Sequence, residues 1–184
     1  MGTNWLTMVV NNKKTQIAHM GYWDGIPTKA GVNLLTLLSP QHVSQLRPLL
    51  SKCHMLSQTE LTAFKRGMYT DEELLIAAYP NFFFGDGFEL LKRLLCTEES
   101  VTTRDDSHMA YDSRLHDWAY VVDYDICAFE VYKGMNTTPL TPSDRFYNAT
   151  TRSDSEYYGV RCVASYRLDN LPSLKAFTED ARRW

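Results

Sequence analysis

Runs of β-type residues stand at the two ends of the chain, and helix-type periodicity fills the middle. Two short runs near the start, 6–10 and 15–20, are separated by a polar Asn-Asn-Lys-Lys cluster and predict a β-hairpin. Residues 118–123 and 128–132 predict a second hairpin, and the alternation in 160–168 predicts one more strand. Segregated blocks of this kind predict an α+β fold, with a mainly antiparallel sheet built from the N-terminal and C-terminal hairpins and a central helical block.

The middle of the chain repeats its apolar residues at helical spacing. The predicted helices span residues 30–38, 41–50, 56–68, 70–79 and 88–95. We expect Thr59 to cap the third helix, and a short helix to end near Trp184. The polar residues of 97–107 predict an exposed connector, and those of 135–157 predict a long surface loop. At 184 residues, the chain has the length of a single domain, 1–184.

Charge and hydropathy narrow the class of protein. The net charge is −3, from 19 basic and 22 acidic residues, which argues against broad binding of nucleic acid because that needs a basic face. No run approaches the ~20 apolar residues that a membrane span requires, and no signal peptide is recognised. We therefore expect a cytoplasmic protein that does not bind membranes.

The chain has four cysteines, and none forms a CxxC pair. They are Cys53, Cys96, Cys127 and Cys162. Each has apolar neighbours in the sequence, so we expect small buried thiols in a reducing compartment. Their spacing predicts neither a zinc site nor a redox dithiol.

The turn after the first hairpin, Trp23-Asp24-Gly25-Ile26-Pro27, is the most distinctive segment. One interpretation is structural: Asp24 forms a local side-chain hydrogen bond and Gly25 takes up unusual dihedral angles. The other is functional: Trp23 offers a stacking surface and Asp24 a polar anchor, because loops on a rigid scaffold often bind ligands. The sequence leaves both open.

Other clusters favour structural roles. Gly85-Asp86-Gly87 before a helix is typical of a cap more than of an anion site. The aromatic run 82–84 indicates core or interface. Asp105 and Asp106, with His108 nearby, lie in a polar segment that we expect to be solvated.

No catalytic signature names a reaction. The sequence lacks GxxxxGK[ST], GxGxxG and GxSxG, so no cofactor is predicted. The histidines show no ligand spacing, so no metal is predicted either. An N-terminal nucleophile mechanism would need the amine of Thr3, but removal of Met1 would expose Gly2 instead. No catalytic residue is assigned, and binding is favoured over catalysis.

Several segments resemble a group of phage and prophage proteins that begin Met-Gly-Thr-Arg-Gly-Leu and carry Tyr-Gly-Gln-Trp-Asp-Gly-Tyr-Pro soon afterwards. The similar segments are 1–6, 18–31, 117–123, 129–134 and 166–173. The group has no assigned reaction. In this chain Asn4 and Trp5 replace its usual Arg-Gly, and Tyr22 and Ile26 replace its Gln and Tyr; if that Arg binds an anion, this contact is absent here.

The resemblance implies a phage-encoded accessory protein, with a counter-defence role, in the cytoplasm of an infected bacterial host. We expect it to bind and sequester a small nucleotide-type signalling molecule, since Trp, Tyr and Arg supply stacking and phosphate contacts. The alternatives are a hydrolase acting on such a molecule and a protein-binding inhibitor of a host factor. A homo-oligomer is also expected. The candidate ligand-binding residues are Trp23, Asp24, Tyr22, Thr3, Asn4, Trp5 and His19.

Overall fold

A computed structural model of the chain describes residues 3–66, 69–147 and 156–184. The strands in this part are β1 (Trp5–Asn11), β2 (Lys14–Gly21), β3 (Cys53–Leu56), β4 (Lys65–Arg66), β5 (Tyr69–Thr70), β6 (Val101–Arg104), β7 (Trp118–Asp123), β8 (Ala128–Lys133) and β9 (Arg161–Arg167). The α-helices are α1 (Val32–Leu37), α2 (Pro40–Leu49), α3 (Gln58–Thr62), α4 (Glu72–Ala78), α5 (Gly87–Cys96) and α6 (Leu174–Ala181). A π-helical turn at Pro27–Gly31 precedes α1.

The main sheet has five strands in the order β2-β1-β7-β8-β9. Its neighbours are antiparallel except β1 and β7, which pair in parallel and join the first hairpin to the second. This confirms the predicted α+β fold with a mainly antiparallel sheet.

The two faces of the sheet are covered differently. On one face, the side chains of Trp5, Tyr120 and Phe129 belong to a core that includes Leu90 of α5 and Phe177 of α6. On the other face, smaller side chains of the strands pack under loop segments in a second core. The three central strands, β1, β7 and β8, are therefore buried on both faces, whereas no residue of the edge strand β9 is buried.

The segment predicted as an exposed connector, 97–107, contains a buried strand. Val101 and Thr103 in β6 are fully buried, and β6 pairs in parallel with β3. The expectation was wrong because it followed the hydrophilic residues on both sides of this strand. The run Val-Thr-Thr between them consists of β-branched residues, which favour a strand.

The helix predicted over 56–68 is also wrong. Leu56 ends β3, and the helix that follows, α3, has only five residues before a small β4–β5 hairpin. Ser57 caps α3, not Thr59: its hydroxyl accepts from the backbone N–H of Glu60, and the Glu60 carboxylate accepts from the backbone N–H of Ser57. Met68 lies outside the described residues.

The cysteines are less buried than expected. Cys96 and Cys162 are exposed, whereas Cys53 and Cys127 are half-buried. Cys96 ends the amphipathic helix α5 and Cys162 lies on the edge strand β9, so apolar sequence neighbours did not imply burial. Within the described residues, we find no helix of the length and apolarity needed to span the bilayer.

Candidate functional site

The Trp23 turn, residues Tyr22–Ile26, follows β2 and projects from the end of the sheet. Trp23 is 71% exposed and Tyr22 is 52% exposed, and Asp24 and Ile26 are exposed beside them. Two large aromatic side chains therefore face solvent on consecutive residues.

The backbone of this turn is unusual at Trp23 and Asp24. Their φ angles are 68° and 52°, in the left-handed region that bulky residues rarely adopt. The expectation that Gly25 would carry the unusual dihedral angles is wrong. Gly25 is needed for close packing instead, because a Cβ there would lie 2.6 Å from Cδ1 of Trp5.

Buried groups hold the turn from below. Tyr120 Oη donates a hydrogen bond of 2.8 Å to the carbonyl oxygen of Gly25, and the Gly25 N–H donates to the carbonyl of Thr3 at 3.3 Å. Trp5 is 2% exposed and packs edge-to-face on Tyr120, with ring centroids 5.7 Å apart. The exposed aromatic surface is therefore fixed to the hydrophobic core.

Asp24 and Lys29 form an exposed ion pair beside the turn. Lys29 Nζ lies 2.6 Å from Asp24 Oδ1, and the Ala30 N–H donates to the Asp24 carbonyl oxygen at 3.3 Å. Within the described hydrogen bonds, the Asp24 carboxylate pairs with this lysine and not with a neighbouring backbone amide as the local-bond interpretation expected. A carboxylate and an ammonium group thus stand next to Trp23.

The remaining candidate residues are half-buried or fully buried. Thr3 and Asn4 are half-buried where β1 begins, and the Asn4 N–H donates to Asp117 Oδ2 at 3.1 Å. Trp5 supports the turn but is not accessible. His19 is fully buried and separate from the exposed surface.

His19 connects three segments of the fold. Its Nε2 lies 2.5 Å from the carbonyl oxygen of Gly85, and its Nδ1 lies 2.6 Å from Oγ1 of Thr103. Burial lowers the pKa of His19. The contacts give this residue a structural role and keep both ring nitrogens occupied.

The segment expected to be solvated contains a buried carboxylate. Asp106 is 4% exposed, and its Oδ2 accepts from the Met20 N–H at 2.9 Å, with Arg104 Nε 3.5 Å away. Asp86 caps α5 as predicted, accepting from the Glu89 N–H at 2.9 Å. Across the described residues, no group of three or more His, Cys, Asp or Glu side chains is placed to hold a metal ion.

Sequence reasoning missed an ionic cluster on the second face of the sheet. Arg145 Nη2 lies 2.6 Å from Asp123 Oδ2 and 2.8 Å from Glu130 Oε2, and Tyr132 Oη donates to Glu130 Oε2 at 3.0 Å. Burial, followed by the Glu130 charge, raises the pKa of Tyr132. The cluster fastens the loop after β8 to the sheet. No sequence spacing reveals it, because Arg145 comes from a loop.

The cavities lined by described residues include the following three. One of about 370 Å³ lies at the end of β8 and β9, one of about 390 Å³ lies between α2 and α5, and one of about 380 Å³ lies along α6. None of these three is lined by Trp23. The turn is therefore an exposed surface that does not line these cavities.

Comparisons with known proteins gave no match: no family model, no curated protein and no solved structure is significantly similar to this chain.

Proposed function

We propose that this chain is a binding protein that captures a small nucleotide-type ligand by stacking its ring on Trp23. The observation that carries the proposal is the combination of exposure and strain at this residue. Trp23 is 71% exposed and has φ 68°. Exposing a large apolar ring and holding a bulky residue in the left-handed region both cost free energy.

Preorganisation supports this role. The hydrogen bond from Tyr120 to the Gly25 carbonyl and the packing of Trp5 hold the turn in place before any ligand arrives. A surface already fixed in its binding conformation loses less entropy on association. Aromatic stacking of one base contributes about 1–3 kcal/mol.

The neighbouring charges suit a nucleotide. Asp24 can accept hydrogen bonds from an exocyclic amino group, and Lys29 can attract a phosphate. Their ion pair is exposed, so its exchange for ligand contacts costs little. The sequence resemblance supports a role as a phage accessory protein that sequesters a host signalling nucleotide.

Sequestration fits the turn better than hydrolysis. A hydrolase would need a general base within reach of the bound ligand. His19, the one histidine among the candidate residues, is fully buried and bonded at both ring nitrogens. Asp24 is the one carboxylate in the turn, and in the binding mode proposed here it accepts hydrogen bonds from the ligand's amino group. We therefore place binding ahead of a hydrolytic activity at this site.

Mass spectrometry of small molecules released by denaturing freshly purified protein tests the proposal. We expect a nucleotide-type compound to be retained by the wild type and by Trp23→Phe, and to be lost from Trp23→Ala. Phe84→Ala is the matched control, because Phe84 is an exposed aromatic residue outside the turn. A wild-type protein that retains no such compound and binds none when nucleotides are added would overturn the proposal.

A protein partner is the second candidate function, favoured by the shape of the turn. Tyr22, Trp23 and Ile26 are exposed together on a projection, and aromatic residues of this kind are frequent anchors of protein interfaces. A host factor recovered in stoichiometric amount on the wild type but not on Trp23→Ala would favour this function. A second copy of the chain would appear instead as a Trp23-dependent dimer in sedimentation.

A further inference from the structure

The cavity of about 370 Å³ at the end of β8 and β9 has features of a ligand site that the Trp23 turn does not use. Lys133 ends β8, the loop 134–138 forms one wall, and Arg161 and Val163 of β9 form the other. We propose that this cavity, here called the Arg161 groove, binds the phosphate group of a small phosphorylated molecule.

Two cationic residues, Lys133 and Arg161, line the groove. Lys133 and Arg161 are directly paired in the β8–β9 ladder, and both side chains are exposed. Opposed like charges on neighbouring strands destabilise a sheet. A phosphate between them would remove this repulsion and accept hydrogen bonds from both.

The guanidinium of Arg161 has donors to spare. Within residues 3–66, 69–147 and 156–184, no carboxylate forms an ion pair with it. Asp144 Oδ2 accepts from the backbone N–H and the hydroxyl of Thr141, each at 2.7 Å. These two hydrogen bonds are the main cause of the lowered pKa of Asp144, and the charge of Arg161 contributes least. Lys133 Nζ donates to the carbonyl oxygen of Trp184 at 2.6 Å and lies 6.0 Å from the centre of the Trp118 ring. Its other protons have no hydrogen-bond acceptor among the described residues.

The loop that forms the wall is held in one conformation. The buried side chain of Asn136 donates to the carbonyls of Thr138 and Gly159 at 2.9 and 3.0 Å, and its Oδ1 accepts from the Thr138 N–H at 3.0 Å. Met135 has φ 49°, in the left-handed region, so the chain turns at this residue. Thr137 and Thr138 are exposed on this held stretch of backbone, and their hydroxyls are suitable donors to a phosphate.

The opposite wall is shaped by a β-bulge. Val131 pairs with Ala164 and Tyr132 pairs with Cys162, which leaves Val163 without a partner in the ladder. A bulge bends its strand and redirects neighbouring side chains, and bulges often lie next to ligand sites. The side chain of Val163 contributes an apolar patch beside the two cations.

The volume of the Arg161 groove limits the size of the ligand that it can hold. About 370 Å³ lies at the low end of the ~300–1,000 Å³ that small-molecule sites occupy. The groove therefore fits one or two phosphoryl groups with a small organic part. Polynucleotides are not expected, because the net charge of the chain is −3.

The groove and the Trp23 turn are separate sites at the same end of the sheet. Gly21, Trp5, Trp118, Lys133 and Arg161 form one row of paired residues across the five strands. With strands ~4.8 Å apart, about 19 Å separates the two ends of this row. A mononucleotide does not span this distance, so phosphate binding in the groove does not depend on the proposed function of the turn.

Calorimetric titration with inorganic pyrophosphate at constant ionic strength tests the proposal. We expect saturable binding that Arg161→Gln weakens at least tenfold. Arg167→Gln is the matched control, because Arg167 is an exposed arginine at the opposite end of the same strand. Changes in the NMR chemical shifts of the backbone amides, followed during a titration of the wild-type protein with pyrophosphate, locate the site without any variant. We expect the largest changes at Thr137 and Thr138.

Equal weakening by Arg161→Gln and Arg167→Gln would show general attraction of anions and overturn the proposal. Absence of saturable binding, or amide shifts centred on the Trp23 turn, would do the same. If Arg161→Gln does not fold, the wild-type amide shifts alone decide. Because the titration uses pyrophosphate and the Trp23 experiment uses retained nucleotide, either proposal can fail without the other.

Discussion

The hydroxyl of Tyr120 donates a hydrogen bond of 2.8 Å to the carbonyl oxygen of Gly25. Tyr120 lies in β7, in the middle of the sheet, and is fully buried, whereas Gly25 belongs to the projecting turn. Burial raises the pKa of Tyr120 well above its ordinary value, so the phenol remains a donor at all physiological pH values. The exposed surface of Trp23 therefore depends on a residue in the core.

Tyr120→Phe tests this dependence. Removing the hydroxyl leaves the Gly25 carbonyl without this donor, and we expect the free energy of unfolding in urea to fall by about 1 kcal/mol. Amide hydrogen exchange at Gly25 should become faster in the native state, because the turn loses its attachment to the core.

Tyr124→Phe is the control for this substitution. Tyr124 also donates to a backbone carbonyl, that of Val43 at 2.9 Å, but it contacts α2 and not the turn. We expect a similar loss of stability with no change in exchange at Gly25. Unchanged exchange at Gly25 in Tyr120→Phe would show that the turn does not rely on this hydrogen bond.

The ionic cluster of Arg145 gives a second prediction. Arg145→Gln leaves the carboxylates of Asp123 and Glu130 on the sheet without their cation. We therefore expect the free energy of unfolding to fall by about 3 kcal/mol. Chemical denaturation measures the loss. Arg167→Gln provides the comparison, because its partner Asp169 is exposed, and we expect no measurable change in stability there. Equal effects of the two substitutions would contradict a stabilising role for the cluster.

Local patterns predicted the sheet because its two hairpins consist of neighbouring segments with clear alternation. The parallel pairing of β1 with β7 joins residues more than a hundred positions apart, and no local signal specifies it. Strand β6 was missed for a related reason. Its two buried residues, Val101 and Thr103, are covered through the pairing with β3 and by the surrounding segments, and the strand has no apolar pattern of its own.

The candidate site was predictable in part. The composition of the turn identified Tyr22, Trp23 and Asp24, which the structure places together on an exposed surface. It did not separate them from His19, because a sequence pattern does not show that β2 buries His19 while the turn that follows the strand is exposed. The pairing of Lys133 with Arg161 could not be predicted without the register of β8 and β9.

The cysteines provide a third prediction. Burial raises the pKa of the Cys53 thiol to about 12, so at pH 8 only about one part in ten thousand is thiolate. Cys96 is exposed at the end of α5. We expect iodoacetamide at pH 8 to modify Cys96 first and Cys53 last, as measured by mass spectrometry of peptides. In urea the two rates should converge, and equal rates in the native protein would contradict the burial of Cys53.

His116 predicts how stability depends on pH. It is 1% exposed, and neither ring nitrogen has a hydrogen-bond partner among the described residues. Burial lowers its pKa to about 4, against an ordinary value of 6.5 in the unfolded chain. As the pH falls, the unfolded chain binds a proton before the folded protein does. Stability that is fully present above pH 6.5 is therefore lost progressively between about pH 6.5 and 4.

His116→Leu isolates this contribution from that of other titrating groups. Urea unfolding at pH 7 and pH 4 gives the free energy of unfolding at each pH. Between pH 7 and pH 4 this free energy should fall by on the order of 3 kcal/mol more in the wild type than in the variant. At pH 7 the variant should be nearly as stable as the wild type, because an apolar side chain replaces a buried group that has no hydrogen-bond partner among the described residues. His54→Leu, at an exposed histidine, should keep the wild-type pH dependence. If His116→Leu also keeps it, the acid sensitivity comes from another group and the buried imidazole is not its source.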